Sequence, residues 1–442
     1  MNTKVFIEKN YLIILLIFLS IFSYAIGFTF DENSAGGGVA DFNNTWRNLQ
    51  MFESNDLLTA LHLTASNDSA IFQSSRIPGV YIFHKYFNPF TNNAEEFRLS
   101  VTFFSLLIPI FFFKALTLKF SKIRKIDLAL LASLIFLSPY YRTSAYWGNE
   151  ENFGILMVIF SYIFLKLYFN SKTIKSNFFH LTFLGLFSSL CIYFDQKLAF
   201  IPLVCLFLVL NDKRHNFEKT YLCIVYFIFS LPILYLFNLW GGILPPIDAV
   251  SRDMSLKNYN FQHLGYSLSI IFFYILPFYL FFERGFNYKN FFNLKRDYNQ
   301  IIYLLLILYF IYFIFIYNFA DELTFGNGVF FKLSSIIFQN EIFRKIFLSS
   351  IFFIAAISIS QMVDKDYMGR FILLFIIFSS IIYKPVLQEY FDPLIIILAF
   401  SFISINASIK TKGLVICYLY FLFFLIFSNF YYLRICSTSS FC

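Results

Sequence analysis

The feature that most constrains this chain is a series of uninterrupted apolar runs, about 15 to 20 residues long, recurring from end to end. A crossing helix needs about 20 apolar residues to traverse a hydrocarbon core about 30 Å thick. The runs are continuous rather than alternating, which excludes a membrane β-barrel. With 59% hydrophobic and only 14% charged residues, a soluble domain of this length is excluded too. The chain is expected to be all-α, a polytopic helical membrane protein with about 13 transmembrane helices. The expected spans are 11–28, 99–116, 128–141, 153–170, 178–194, 198–210, 220–239, 264–282, 300–317, 346–362, 371–383, 394–408 and 414–433. No small-residue cleavage site follows the first run, which is expected to stay as an anchor.

Charge orients these spans. One alternate set of loops holds "KFSKIRK" (119–125), Lys172, Lys175, "NDKRH" (211–215), Lys295, Arg296, Lys410 and Lys412. By the positive-inside rule that side is cytoplasmic, and so is the N-terminus. The net charge of +8 then reads as an orientation signal and a contact with anionic lipid, not as a nucleic-acid footprint. The opposite, extracytoplasmic side owns 29–98, 139–152, 195–197, 240–263, 318–345 and 384–393. Two modules are expected: 1–239, the candidate functional module that carries the large first outward loop 29–98, and 240–442. The six cysteines show no metal-ligand spacing; Cys436 and Cys442 can pair or stay free.

The first loop carries "TWRNLQMFESNDLLTALHL" (45–63), spaced as an amphipathic helix suited to a membrane surface. It also carries "SSRIPGVYIFHKYF" (74–87), a Pro-Gly turn before an aromatic stretch. Asp31 and Glu32 stand where the first span leaves lipid, beside Gly36-Gly37-Gly38 and close to Asp41. Acids there serve as helix flanks and caps or as chemistry, and both readings are open.

Two expected spans are too short. Residues 198–210 reach only about 20 Å as a helix, so Asp195, Gln196 and Lys197 sink below the outer surface. Residues 128–141 do the same for Arg142, Glu150 and Glu151. A charge inside the bilayer costs about 2.5–3.5 kcal/mol on insertion scales, so these groups must face protein or a wet cavity. Tyr140, Tyr141 and Trp147 read as an interfacial aromatic belt. Lys332, Lys384 and Glu389 add mixed charge in later outward loops. Together these residues describe an outward polar cavity holding both acids and bases.

Such a cavity at lipid level suits a substrate that is itself half lipid. In a polyprenyl-phosphate sugar the tail stays in the bilayer and the phosphate sits at the interface. Transfer to an acceptor hydroxyl needs a base, for which Asp31 is placed. It also needs cations, or a metal, on the departing phosphate, for which Arg142, Lys197, Lys332 and Lys384 are candidates. Glu150, Glu151, Asp195, Gln196 and Glu389 are candidates for the acceptor side of the cavity.

The plan resembles the GT-C superfamily of membrane glycosyltransferases, with its many spans and an acidic motif in the first outward loop. "FDE" (30–32) and "ADFNNTW" (40–46) stand in the place of that motif, and "SRIPGVY" (75–81), "SPYYRTSAYWGNEENF" (138–153) and "QEYFDPL" (388–394) look like further pieces. Among its members the chain looks most like the dolichyl-phosphate-glucose-dependent α-1,2-glucosyltransferase type, through Asp31-Glu32, Asp195-Gln196-Lys197 and "NLWGGILPPID" (238–248). It departs from that type at Asn33-Ser34, where an aromatic residue and His are the pattern. The resemblance implies an inverting reaction with the base on Asp31, supported by Glu32 and Asp41. It also implies a divalent cation such as Mg or Mn in some members, with Asp31, Glu32 and Asp41 as the ligands if one is used.

The expected partners are a polyprenyl-phosphate-linked donor, a glycan, glycolipid or protein acceptor, and membrane lipid, with no nucleic acid. The expected location is a plasma membrane in a bacterium or the endoplasmic reticulum in a eukaryote. Two further readings stay open. One is a polysaccharide polymerase, although such polymerases carry their large loop later in the chain. The other is a lipid-linked oligosaccharide flippase or other transporter, although no internal repeat relates the halves.

Overall fold

The computed structural model describes residues 3–74, 76–213, 216–246, 260–282, 297–317, 319, 326–363, 366–382, 386–404 and 409–436. Among these the chain is helical, with no strand. Among the described residues eight helical segments are long and apolar enough to cross a membrane: Asn10–Thr29, Ala94–Lys119, Glu151–Asn170, Ile174–Phe194, Asn216–Trp240, Gln262–Phe281, Glu341–Met362 and Thr411–Leu433. Each overlaps one of the expected spans.

The other five expected spans form shorter or broken helices. Residues 198–210, 300–317 and 371–383 fall in the apolar helices Gln196–Leu210, Leu304–Ile316 and Tyr367–Ile382. For 394–408 the helix among the described residues is Leu394–Phe400. The expected span 128–141 is divided into Lys125–Ser133, a tight turn Leu134–Leu137, and Pro139–Tyr146. Pro139 is the cause: its ring disfavours helical backbone at the residue before it, and Ser138 sits extended at ψ 119°. Ser138 then caps the new helix, its hydroxyl accepting from the Tyr141 N–H at 3.1 Å.

The chain divides into two compact units. The first comprises Met1–Asp253 and Tyr418–Cys442, the second Met254–Cys417. The C-terminal stretch from Tyr418 belongs with the first unit.

The first unit begins α1 (Thr3–Thr29), α2 (Gly38–Ser54), α3 (Leu57–Leu63), α4 (Gly79–Phe87), α5 (Ala94–Ser105) and α6 (Leu107–Lys119). It continues with α7 (Lys125–Ser133), α8 (Pro139–Tyr146), α9 (Glu151–Asn170), α10 (Ile174–Phe194), α11 (Phe200–Leu210) and α12 (Asn216–Trp240). The helix expected over 45–63 becomes two, because Asp56 accepts from the N–H groups of Leu58 (3.0 Å) and Thr59 (3.1 Å) and starts α3 afresh. Lys85 of α4 closes the end of α2 by donating to the Phe52 carbonyl at 2.6 Å and to the Asn55 carbonyl. Among the long helices, α10 packs on both α9 and α12. A side chain at Gly185 would run into Val225, so glycine sets the close α10–α12 approach on which helix association in lipid relies.

In the second unit the helices are α13 (Gln262–Phe282), α14 (Asp297–Ile311), α15 (Gly328–Ile337), α16 (Glu341–Met362), α17 (Tyr367–Ser379) and α18 (Leu394–Phe400). Tyr266, Phe313, Tyr317, Phe331, Leu348 and Phe352 form its aromatic core. Lys345 is drawn into it, donating to the Tyr317 carbonyl and pairing with Glu341 at 2.9 Å. The last helix, α19 (Thr411–Cys436), belongs to the first unit from Tyr418 onward.

Candidate functional site

The end of α1 is a Schellman turn. The Asp31 N–H reaches the Phe28 carbonyl at 3.2 Å and the Glu32 N–H reaches that of Gly27 at 2.9 Å. Glycine is the usual residue at the left-handed position of this motif, yet Asp31 occupies it with φ 49°. That backbone costs an L-residue roughly 1–2 kcal/mol. The turn sends two adjacent carboxylates in opposite directions.

Asp31 points out: its side chain is 64% exposed and meets Arg98 at 2.6 Å. Arg98 is itself mostly covered. Its Nε donates to the Tyr146 carbonyl at 2.8 Å, and its guanidinium lies 4.1 Å from the Trp147 ring centre, with Phe28 and Phe42 at 5.7 and 5.8 Å. Aromatic faces hold a guanidinium without neutralising it.

Glu32 points in and pairs with Arg142, whose side chain is 3% exposed. Arg142 is fully used by the protein. Its Nε bridges the two Glu32 oxygens at 2.9 and 3.1 Å, and its two terminal nitrogens reach the Ser23 hydroxyl (3.1 Å), the Phe136 carbonyl (3.1 Å), the Ser23 carbonyl (2.8 Å) and Glu32. All five N–H groups of the guanidinium are therefore committed. The candidate phosphate ligand Arg142 is a brace between α1 and α8. Asn429 of α19 adds a hydrogen bond to Glu32 at 3.3 Å, and Trp147 Nε1 donates to the Glu32 carbonyl at 3.0 Å.

Asp41 lies in the first turn of α2 behind the left-handed Gly37, where a carboxylate suits the helix dipole. Asp31, Glu32 and Asp41 thus do not gather as a ligand set. Among the described residues no group of three or more His, Cys, Asp or Glu side chains is placed to share an ion.

A second polar cluster lies just along the chain. Arg76 pairs with Glu150 at 3.5 Å and, more closely, with Glu151. Ser144 donates to Glu151 at 3.2 Å. Lys197 pairs with Asp195 at 3.4 Å, and both lie within electrostatic reach of this group. Tyr81 stands beside Glu150 and accepts from Asn48 at 3.1 Å. Burial pushes the Glu150 carboxyl above its ordinary value, against the pull of Arg76. Burial alone would weaken Arg76 as an acid–base partner, but Glu151 and Glu150 outweigh it and raise its pKa. The two clusters share one segment: Trp147 and Glu150 are three residues apart, so their Cα atoms lie within about 11 Å.

Of the residues expected from sequence, Glu150, Glu151, Asp195 and Lys197 therefore do come together, and Asp31, Glu32 and Arg142 sit at the neighbouring turn. Gln196 lies aside, donating to the Ile243 carbonyl at 3.1 Å. Lys332 and Glu389 belong to the second unit, and Lys384 lies outside the described residues. Arg98 and Arg76 were not among the expected site residues. Arg98 does carry a legible signal, an arginine directly before the span 99–116.

His84, also in this unit, is buried among Phe83, Phe97 and Phe153 and meets Asn88 at 3.0 Å. Burial holds it neutral, with a pKa of about 3.

No protein-family model, curated protein sequence or solved structure matches the chain.

Proposed function

We propose that this protein is an integral-membrane glycosyltransferase that takes a sugar from a polyprenyl-phosphate donor to an acceptor hydroxyl on the extracytoplasmic face. The observation that carries the reading is Asp31. It is an exposed carboxylate held in a backbone conformation better suited to glycine, at the end of the first membrane helix and 2.6 Å from an arginine. Strain kept at an exposed acid points to a role for the acid rather than for the fold.

In this reading the donor phosphate takes Arg98 as its partner and frees Asp31. The acceptor oxygen attacks the anomeric carbon as the bond from that carbon to the phosphate oxygen breaks. Asp31 takes the hydroxyl proton, and the departing polyprenyl phosphate carries its negative charge to Arg98. One displacement inverts the anomeric centre. The Arg76, Glu150, Glu151, Asp195 and Lys197 cluster supplies acceptors and donors suited to sugar hydroxyls. Arg142 and Glu32 hold the turn that presents Asp31.

The test is transfer by the purified protein from polyprenyl-phosphate sugars. Asp31→Asn is expected to keep donor binding and lose transfer by at least about 100-fold, the scale of general-base catalysis. Unchanged turnover in that variant ends the assignment. Movement of the lipid-linked sugar between leaflets with no new glycosidic bond would show a transporter instead.

A further inference from the structure

At the ends of three candidate membrane helices, α9, α10 and α12, lies a cavity of about 590 Å³, lined by Ser171, Lys172, Asn177, Lys213, Asn216 and Glu218 among others. That is within the size range of small-molecule sites. It takes no part in the chemistry proposed above.

Its lining is bipolar. Lys172 and Lys213 are exposed, and neither has an ion-pair partner among the described residues. The first turns of α10 and α12 border the same place through Ile174 and Asn216, where the positive ends of two helix dipoles favour an anion. On the other side Glu218 is 1% exposed. Its oxygens accept from Tyr168 Oη at 2.9 Å and Asn177 Nδ2 at 2.8 Å, two neutral donors with no cation beside them among the described residues. Asn177 is 94% buried by its 6% exposure, and its Oδ1 has no hydrogen-bond donor among the described residues. A buried carboxylate with neutral partners and a buried amide oxygen without a donor both call for N–H groups from a ligand.

We infer that this cavity binds a phosphate ester bearing a protonated primary amine. The phosphate lies on Lys172, Lys213 and the helix N-termini, and the ammonium lies on Glu218 and the Asn177 oxygen. The position at the ends of three membrane helices makes an aminophospholipid headgroup of the phosphatidylethanolamine kind the natural source. A quaternary amine has no N–H to give, and a headgroup without an amine leaves Glu218 and Asn177 as they are.

The experiment is native mass spectrometry of the full-length protein in detergent, titrated with phosphatidylethanolamine, phosphatidylcholine or phosphatidylglycerol. Phosphatidylethanolamine is expected to bind at least tenfold more tightly than either other lipid. Lys172→Ala with Lys213→Ala, both on exposed side chains, is expected to weaken it at least tenfold. Glu218→Gln is expected to abolish the preference for the amine while leaving phosphate binding. Soluble O-phosphoethanolamine separates the sources: displacement of the lipid at equal concentration assigns the site to a free metabolite, and no displacement assigns it to the lipid. If neither amine is preferred over its amine-free or quaternary counterpart, the inference is wrong. Because the readout is occupancy, it stands or falls independently of sugar transfer.

Discussion

Asp31 and Glu32 are neighbours in the chain, and opposite outcomes are expected when each is neutralised. Glu32→Gln leaves the Arg142 guanidinium, 3% exposed, without its counter-charge. Removing one member of a buried pair costs about 3–5 kcal/mol. Arg142→Met is expected to cost as much, since it also strips donors from the Ser23 and Phe136 carbonyls. Asp31→Asn removes only a pair whose carboxylate is 64% exposed, and such pairs contribute about 0–1 kcal/mol. Asparagine also tolerates the left-handed backbone at φ 49°. The two substitutions should therefore differ by at least about 2 kcal/mol, roughly 30-fold in the unfolding equilibrium. Asp31→Gly relieves the turn and is expected to leave stability unchanged or raised by up to about 1 kcal/mol, while transfer is lost. The assay is reversible unfolding of the purified protein in mixed micelles by sodium dodecyl sulfate, followed by tryptophan fluorescence. Equal destabilisation by Glu32→Gln and Asp31→Asn would refute the division of roles between the two carboxylates.

Arg98→Lys keeps the charge but loses the Tyr146 carbonyl contact and the stack on Trp147, worth about 0.5–2 kcal/mol; donor affinity in a binding titration should fall with Trp147→Leu as well. Gly79→Ala drives a methyl against the Tyr193 backbone carbonyl at 2.5 Å, which cannot swing away, whereas Gly242→Ala meets nothing within 4 Å. The first should cost about 1–3 kcal/mol in the same unfolding assay, the second almost nothing. Because Glu150 is raised by burial, the folded protein holds a proton that the unfolded chain has released. Its contribution to stability is present below the ordinary glutamate range and falls as pH rises through the raised value. Glu150→Gln should flatten that part of a stability profile against pH.

Several parts of the fold and the candidate site were legible in the residues. Hydropathy is a local sum, so eight long runs declare themselves wherever the chain later goes. Caps are local too, yet Asp56 and Ser138, which accept from N–H groups two and three residues on, did not stand out against the apolar spacing of 45–63 and 128–141, and the structure divides both. The recess around Asp195 followed from the shortness of the run after it, and the structure keeps Asp195 at 6% exposure. Pro139 warned of a break, yet 128–141 still read as one span because its apolar content hid the ring's effect on Ser138.

What sequence alone determined is that this chain must live in lipid as helices, and that acids stand where the first helix ends. Which of the two acids faces out, that Arg142 is a brace, and that Arg98 holds the exposed Asp31 while Arg76 holds the covered Glu150 and Glu151, only the tertiary structure decided. Transfer from water to lipid is charged residue by residue and adds along the chain. A charge pair instead depends on a distance between groups as far apart as 32 and 142, and no stretch of residues encodes that distance until the helices have packed.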